Sequence, residues 1–180
     1  MEVTRKPIFL VGFMASGKTT LGRILAKELK TEFVDSDEAI SKLAGISIDE
    51  IFKNRGEVYF RNLEWDFIQN FTSNKKMSVV ATGGGMPCYN HMMDVLNNNG
   101  LTVYIKTSSH TIFNRLLANH NHRPLIMGME SAQLRKFIDH TLNEREPIYS
   151  KSKIVVNGDL DLDETVQNIL NSLNKIHENG

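Results

Sequence analysis

Residues 12–19 read Gly-Phe-Met-Ala-Ser-Gly-Lys-Thr, the pattern G-x-x-x-x-G-K-T, and they decide the fold of this chain. The apolar run 8–11 directly precedes them, and apolar residues recur at helical spacing in the segment that follows. A strand, a glycine-rich loop and a helix start are the parts of a phosphate-binding P-loop. The sequence therefore predicts a nucleoside triphosphate site at the end of the first strand.

The residues of the loop have separate tasks in binding a triphosphate. Successive backbone N–H groups point into one concavity, and the next helix adds the positive end of its dipole. Lys18 is expected to reach the β- and γ-phosphates, and the Thr19 hydroxyl is expected to bind Mg²⁺. The predicted nucleotide-binding residues in this segment are Ala15, Ser16, Gly17, Lys18, Thr19 and Thr20.

Composition narrows the class of protein. With 180 residues the chain can form a substantial core, and we expect a single domain over residues 1–180. Lysine plus arginine (21) equals aspartate plus glutamate (21), so no global field favours nucleic acid or an anionic membrane. The one cysteine excludes an internal disulfide, and no run approaches the ~20 apolar residues of a membrane span. We expect a cytoplasmic monomer without a signal peptide that acts on small molecules.

The order of apolar patterns predicts an α/β fold with a parallel sheet. Strand-like runs occur at 8–11, 32–34, 79–82, 102–105 and 154–156, and helical patterns separate them. This alternation is typical of a parallel sheet covered by helices.

Local signals predict where several helices begin and end. Ser47 and Glu50 have the spacing of a capping box, and Gly56 interrupts the helix that follows. The helix that precedes Pro147 is expected to end before this proline, and a final amphipathic helix is expected over 163–176.

Residues 119–131 are predicted to form a lid. The segment is polar at first, lacks clear periodicity and contains Pro124 and Gly128. A mobile loop fits this pattern, with an ordinary exposed connection as the alternative. A lid excludes water from phosphoryl transfer, and Arg123 on it can neutralise charge on the transferred group.

Two acids follow the second strand-like run. Asp35 and Asp37 are expected at the carboxyl edge of the sheet, beside the P-loop. One can support the hydrated Mg²⁺, while the other accepts a hydrogen bond from a substrate hydroxyl. A helix N-cap is the alternative role for Asp37.

Two arginines and a glycine run are the remaining candidates for binding. Arg61 and Arg145 can each hold a carboxylate through two parallel hydrogen bonds. The alternative is an ion pair, of Arg61 with Glu57 or Glu64, and of Arg145 with Glu144, Glu146 or Asp139. Residues 83–85 are three consecutive glycines directly after a strand-like run. They indicate close approach of the backbone to a ligand, and a flexible turn is the alternative.

Taken in order, the motifs resemble those of the shikimate kinase family. They are GFMASGKTT at 12–20, DSD at 35–37, SIDEIF at 47–52, GEVYFR at 56–61, TGGG at 82–85, RPL at 123–125 and REPIY at 145–149. The resemblance extends over nearly the whole chain. It implies a three-layer P-loop NTPase fold: a five-stranded parallel sheet with helices on both faces and a lid.

The resemblance also implies an activity and a set of roles. The activity is transfer of the γ-phosphate of ATP to the 3-hydroxyl of shikimate, in the pathway to aromatic amino acids. Asp37 would contact the ring hydroxyls, Arg61 and Arg145 would hold the shikimate carboxylate, and Gly84 would donate a backbone N–H. Thr19, and Asp35 through water, would serve Mg²⁺. The implied catalytic residues are Lys18, Asp37 and Arg123, the last of which would approach the nucleotide from the lid.

The chain departs from the family pattern at two places. Ala15 stands where the family most often has glycine, which is tolerable if the φ angle of this residue is negative. The stretch 157–161 has no basic residue for the adenine side, so we expect adenine contacts from Arg115 and from backbone groups.

Three alternative functions fit the sequence less well. A gluconate kinase shares the P-loop, but the arginine pair and the triple glycine favour shikimate. A guanine-specific switch normally has an Asn-Lys-x-Asp run, which is missing after Asn74-Lys75 and after Asn174-Lys175. A catalytically dead scaffold is disfavoured because every motif residue is present.

Overall fold

The computed structural model describes residues 6–73, 77–118, 126 and 128–178. Its strands are β1 (Ile8–Val11), β2 (Glu32–Asp35), β3 (Ser78–Ala81), β4 (Leu101–Lys106) and β5 (Ile154–Asn157). Its helices are α1 (Lys18–Glu28), α2 (Ser36–Ala44), α3 (Ile48–Ser73), α4 (Met92–Asn99), α5 (Ser109–Ala118), α6 (Ser131–Tyr149) and α7 (Leu162–Glu178).

The five strands form one parallel sheet in the order β2-β3-β1-β4-β5. Side chains of the central strand β1 alternate between its two faces, as the pleat of a strand requires. Ile8 and Leu10 belong to a core cluster with residues of α1 and α7, whereas Phe9 and Val11 belong to a second cluster with residues of α3 to α6. Helices thus cover both faces of the sheet, and the predicted three-layer fold is confirmed.

Helix α1 packs closely against the sheet because it has a glycine at the contact. A Cβ on Gly22 would lie 3.1 Å from Leu10 Cδ1 and would overlap the ring of Phe33. Any larger residue would push α1 outward, and overpacking of this kind is costly. The packing matters for the site because α1 begins at Lys18, the lysine of the P-loop.

The predicted start of α3 is confirmed. The Ser47 hydroxyl accepts a hydrogen bond from the Glu50 N–H at 3.2 Å, and the Glu50 carboxylate accepts one from the Ser47 N–H at 2.9 Å. Gly56 has φ +80° and ψ 173°, so it forms a kink between two helical stretches.

The prediction that the sixth helix ends before Pro147 is wrong, since α6 continues to Tyr149. Pro147 lies in the last turn, where its missing N–H removes only one intrahelical hydrogen bond. The Ser150 N–H still bonds to the Glu146 carbonyl at 2.9 Å, which closes the helix beyond the proline. Helix α4 was not predicted either, because its eight residues are too few to show clear periodicity.

Two expectations are not tested by the described residues and stay predictions. Most of the proposed lid at 119–131, including Arg123, lies outside the described residues. The assignment of residues 1–180 to a single domain likewise remains an expectation. No helix in the described part of the chain is long and apolar enough to cross a membrane.

Candidate active site

The register of the sheet brings the predicted motifs to one edge. Ala81 at the end of β3 is opposite both Leu10 of β1 and Asp35 of β2. Because the strands are parallel, the P-loop, the Asp35–Asp37 segment and residues 83–85 all follow neighbouring carboxyl ends. This is the edge at which open parallel sheets bind their ligands.

The lysine of the P-loop, Lys18, donates hydrogen bonds back to the loop. Lys18 is only 8% exposed, and its ammonium donates hydrogen bonds to the carbonyls of Gly12 at 2.9 Å and Phe13 at 2.8 Å. Gly12 and Gly17 have φ angles of +146° and +102°, which side chains rarely adopt. The curled backbone thus places the charge of Lys18 inside the concavity.

Ala15 lies in the left-handed region of backbone conformations, with φ +60°. The condition under which this alanine was expected to be tolerable, a negative φ, is therefore not met. Such a conformation costs a non-glycine residue on the order of 1–2 kcal/mol. The loop keeps its shape despite this strain because Arg115 donates hydrogen bonds to the carbonyls of Ala15 and Ser16, both at 3.1 Å.

Thr19 and Asp35 lie side by side at the start of α1. The Thr19 hydroxyl donates a hydrogen bond to Asp35 Oδ2 at 2.8 Å. Asp35 Oδ1 accepts a hydrogen bond from the Asp37 N–H at 3.0 Å, so Asp35 is the N-cap of α2. The alternative in which Asp37 is the N-cap is therefore wrong. The carboxylate of Asp37 is instead directed towards Gly83.

The three glycines after β3 are required by close packing. A Cβ on Gly83 would lie 2.7 Å from Glu64 Oε1 and 2.8 Å from Asp37 Oδ1. A Cβ on Gly84 would lie 3.2 Å from the Met14 nitrogen of the P-loop, and one on Gly85 would overlap the guanidinium of Arg61. These glycines therefore allow other parts of the site to pack closely against the backbone.

Arg61 is paired with acids, yet it does not lie on the surface. Only 6% of it is exposed, and its guanidinium donates to Glu64 at 2.6 Å and to Glu57 at 2.9 Å. Glu64 is buried, whereas the side chain of Glu57 is 63% exposed. Sequence reasoning named Glu64 only as a possible ion-pair partner and missed its place in the site.

Arg145 lies beside the P-loop. Its guanidinium carbon is 5.9 Å from the centre of the Phe13 ring, which belongs to the P-loop. Two of the acids that could pair with Arg145 have other contacts. Glu146 pairs with Lys106, and the Glu144 carboxylate lies 3.4 Å from the His140 ring.

Two carboxyl groups of the site, those of Asp37 and Glu64, have raised pKa values. Burial and the neighbouring Asp35 raise the pKa of Asp37, although Lys18 and Arg61 act in the opposite direction. Burial raises the pKa of Glu64 from its ordinary value of 4.5 to about 7, against the pull of Arg61. Glu64 Oε1 is also buried without a hydrogen-bond partner among the described residues. An ionised Glu64 is therefore poorly solvated on one side.

A cavity of about 460 Å³ lies at this edge of the sheet. Its lining includes the P-loop, Asp35, Asp37 and Gly84, together with Arg115 and Gly158. Among the described residues, Arg61, Glu64 and Arg145 do not line it. Arg115 also donates to the Gly158 carbonyl at 3.2 Å, which links the P-loop to the segment after β5. A second cavity, of about 560 Å³, lies between α6 and β5 and is lined by none of the predicted site residues.

The donor atoms at the Thr19–Asp35 pair fit Mg²⁺. Magnesium prefers oxygen ligands and keeps several waters, so one hydroxyl and one carboxylate beside a triphosphate form a suitable set. Within the residues that the structure describes, no cluster of three His, Cys, Asp or Glu side chains could hold a metal ion by itself.

Comparison with known proteins gives a consistent result. The family model described as shikimate kinase matches residues 14–174. A shikimate kinase of Flavobacterium johnsoniae is 38% identical over 170 residues, which are 92% of this chain and 98% of that protein.

Solved structures agree with the sequence comparison. A shikimate kinase from Acinetobacter baumannii in complex with shikimate has a TM-score of 0.84 and 34% identity, and the match covers 94% of this chain and 93% of that one. A gluconokinase from Sinorhizobium meliloti, with a TM-score of 0.63 and 20% identity over 97% and 95% of the two chains, shares the fold alone.

The strain at Ala15 predicts that Ala15→Gly stabilises the protein. Glycine removes the cost of the left-handed conformation and loses roughly half of that gain through the entropy of the unfolded chain. We expect the free energy of unfolding in urea to rise by about 0.5–1 kcal/mol. Ala132→Gly, at an exposed position in α6, is the control and should lower it. Equal losses in both variants would contradict the strain.

The raised pKa of Glu64 predicts a pH dependence of stability. Its value is 4.5 in the unfolded chain and about 7 in the folded protein, so the folded state holds the proton more tightly. The resulting stability is present below pH 4.5 and lost as the pH rises through about 7. Between pH 5 and pH 8 this loss amounts to about 2–3 kcal/mol.

Glu64→Gln isolates this contribution because glutamine stays uncharged throughout. Urea unfolding of the wild type and of the variant is measured at pH 5 and pH 8. Between pH 5 and pH 8 the unfolding free energy should fall by about 2–3 kcal/mol more in the wild type than in the variant. The contributions of the other titrating groups are common to both proteins and cancel in the comparison. Parallel falls in the two proteins would show that Glu64 is ionised across this range.

Proposed function

The chain belongs to the shikimate kinase family and catalyses the ATP-dependent phosphorylation of shikimate, and we propose that the edge of the sheet described above performs it on the 3-hydroxyl. One observation supports this proposal most: the P-loop on one side, and Asp37 with residues 83–84 on the other, line one cavity. The donor half consists of the P-loop with Asp35 and Arg115. The acceptor half consists of Asp37, Arg61, Glu64, residues 83–85 and Arg145.

The acceptor half matches the chemistry of shikimate. This substrate has one carboxylate and three hydroxyl groups on a small ring. We propose that Arg61 and Arg145 bind the carboxylate, that Asp37 accepts hydrogen bonds from ring hydroxyls, and that the Gly84 N–H donates one. Two cations, one anion and one backbone donor suit this set of groups. Gluconate also has a carboxylate and hydroxyls, and family membership decides against it.

In the reaction the 3-hydroxyl oxygen forms a bond to the γ-phosphorus, and the bond from that phosphorus to the oxygen bridging to the β-phosphate breaks. The hydroxyl proton passes to the Asp37 carboxylate, whose raised pKa makes it a better acceptor than an ordinary aspartate. The transition state is loose, so positioning and charge neutralisation carry most of the catalysis. Lys18 neutralises charge on the β- and γ-phosphates, and Arg123 on the proposed lid adds to it.

Mg²⁺ belongs to this proposal as the metal held by Thr19 and, through water, by Asp35. When bound, it neutralises phosphate charge and orients the triphosphate for in-line transfer. We further propose that the enzyme works as a monomer in the cytoplasm, without a nucleic-acid or membrane partner. Its equal numbers of acidic and basic residues and its single cysteine support this setting.

The activity is tested by ADP release from ATP and Mg²⁺ with shikimate, with gluconate or without an acceptor. We expect release that depends on shikimate and on the metal, with one ADP for each shikimate 3-phosphate formed. Chelation of Mg²⁺ should stop the reaction. Faster turnover of gluconate, or ADP release at the same rate with and without an acceptor, would refute the assignment.

Asp37→Asn should remove most of the turnover while leaving nucleotide binding intact. Asparagine keeps the shape of the side chain but cannot accept the hydroxyl proton, so we expect kcat to fall by roughly 10²–10⁴-fold. Calorimetry should give an ATP dissociation constant within about twofold of wild type, since the donor half is untouched. Asp66→Asn, at an exposed position on α3, is the matched control. Near-normal turnover in Asp37→Asn would exclude the proposed role.

A further inference from the structure

The peptide between Gly83 and Gly84 has a defined orientation. Its carbonyl accepts a hydrogen bond from the Met86 N–H at 3.1 Å. The described chain has no cis peptide bonds, so the Gly84 N–H of this peptide points away from Met86. Among the described residues it has no hydrogen-bond partner, and Gly84 lines the cavity. This N–H is therefore available to an acceptor molecule.

The peptides on both sides of it are each held by a side chain. On one side the Ser36 hydroxyl accepts a hydrogen bond from the Gly83 N–H at 2.9 Å. On the other side the Tyr149 hydroxyl donates one to the Gly84 carbonyl at 2.5 Å. Glycines have no side chain to limit their rotation, so these two contacts restrict the direction of the Gly84 N–H.

Tyr149 is suited to hold a peptide in place. It is fully buried at the end of α6, and its ring lies 5.2 Å from the ring of Tyr104. Burial raises the pKa of Tyr149 far above its ordinary value, so the hydroxyl remains a donor at any physiological pH. Arg145 lies one helical turn earlier on α6, so its side chain and that of Tyr149 are on the same face of the helix.

We propose that the Tyr149 hydroxyl is a positioning group for the acceptor: its hydrogen bond to the Gly84 carbonyl holds the Gly84 N–H in the direction that a ring hydroxyl of shikimate requires. This inference rests on the proposed function. Tyr149 acts on the substrate through Gly84 and not by direct contact.

Tyr149→Phe removes the hydroxyl and keeps the ring. Steady-state kinetics should show a shikimate KM raised roughly tenfold or more, as expected when a buried carbonyl loses its donor. The KM for ATP should stay within about twofold, because no donor-half contact changes. Tyr104→Phe, which removes a neighbouring buried hydroxyl outside both halves, is the matched control and should leave both KM values within about twofold of wild type.

Binding measurements separate this inference from the proposed function. Calorimetry gives the affinity of wild type and Tyr149→Phe for shikimate alone and for a non-hydrolysable ATP analogue. If the wild type phosphorylates no shikimate, the proposed function fails first. If the wild type is active and Tyr149→Phe binds shikimate normally, or loses affinity for both ligands equally, the positioning role is wrong. Failure of Tyr149→Phe to fold would assign a structural role to the hydroxyl and would also contradict the proposal.

Discussion

The site depends on the absence of side chains at the carboxyl end of β3. Gly83 packs under Asp37 and Glu64, Gly84 against the backbone of the P-loop, and Gly85 under Arg61. A methyl group at Gly83 would lie within 2.8 Å of two carboxylate oxygens, and one at Gly85 would displace a buried guanidinium. The P-loop, Asp37 and Arg61 can therefore pack this closely around the end of β3 only because the segment has no side chains.

The sequence predicted most of the sheet and nearly all the parts of the donor half, because both are encoded locally. The G-x-x-x-x-G-K-T pattern fixes its own strand, loop and helix, and the adjacent Thr19 and Asp35 follow from strand order. Local patterns failed where tertiary contacts decide. The pattern around Pro147 predicts a helix end, yet the helix continues to Tyr149. Ala15 was expected to be tolerable at a negative φ, yet its φ is positive.

The acceptor half was harder to predict because its residues are distant in sequence. Arg61, Gly84 and Arg145 were named, but the contacts among them were not visible in the sequence. Glu64 is three residues after Arg61, which is also the spacing of an ordinary surface ion pair on a helix. Only burial distinguishes the two cases, and burial depends on how α3 packs over the glycine segment. Tyr149 was seen as part of a motif, with no role of its own.

The ion pairs of Arg61 are compatible with its proposed role as a buried cation that binds a substrate. Its Nη1 donates to the buried Glu64, whereas its Nε and Nη2 both donate to the exposed Glu57. An exposed carboxylate is well solvated and its ion pair contributes little, so it leaves the guanidinium at small cost. In the proposed role of Arg61, a substrate carboxylate would compete with Glu57 for the two-nitrogen edge of the guanidinium. Glu64 would keep the third nitrogen and hold the guanidinium in place. The two acids on one helix would then have different tasks, because one is buried and the other is not.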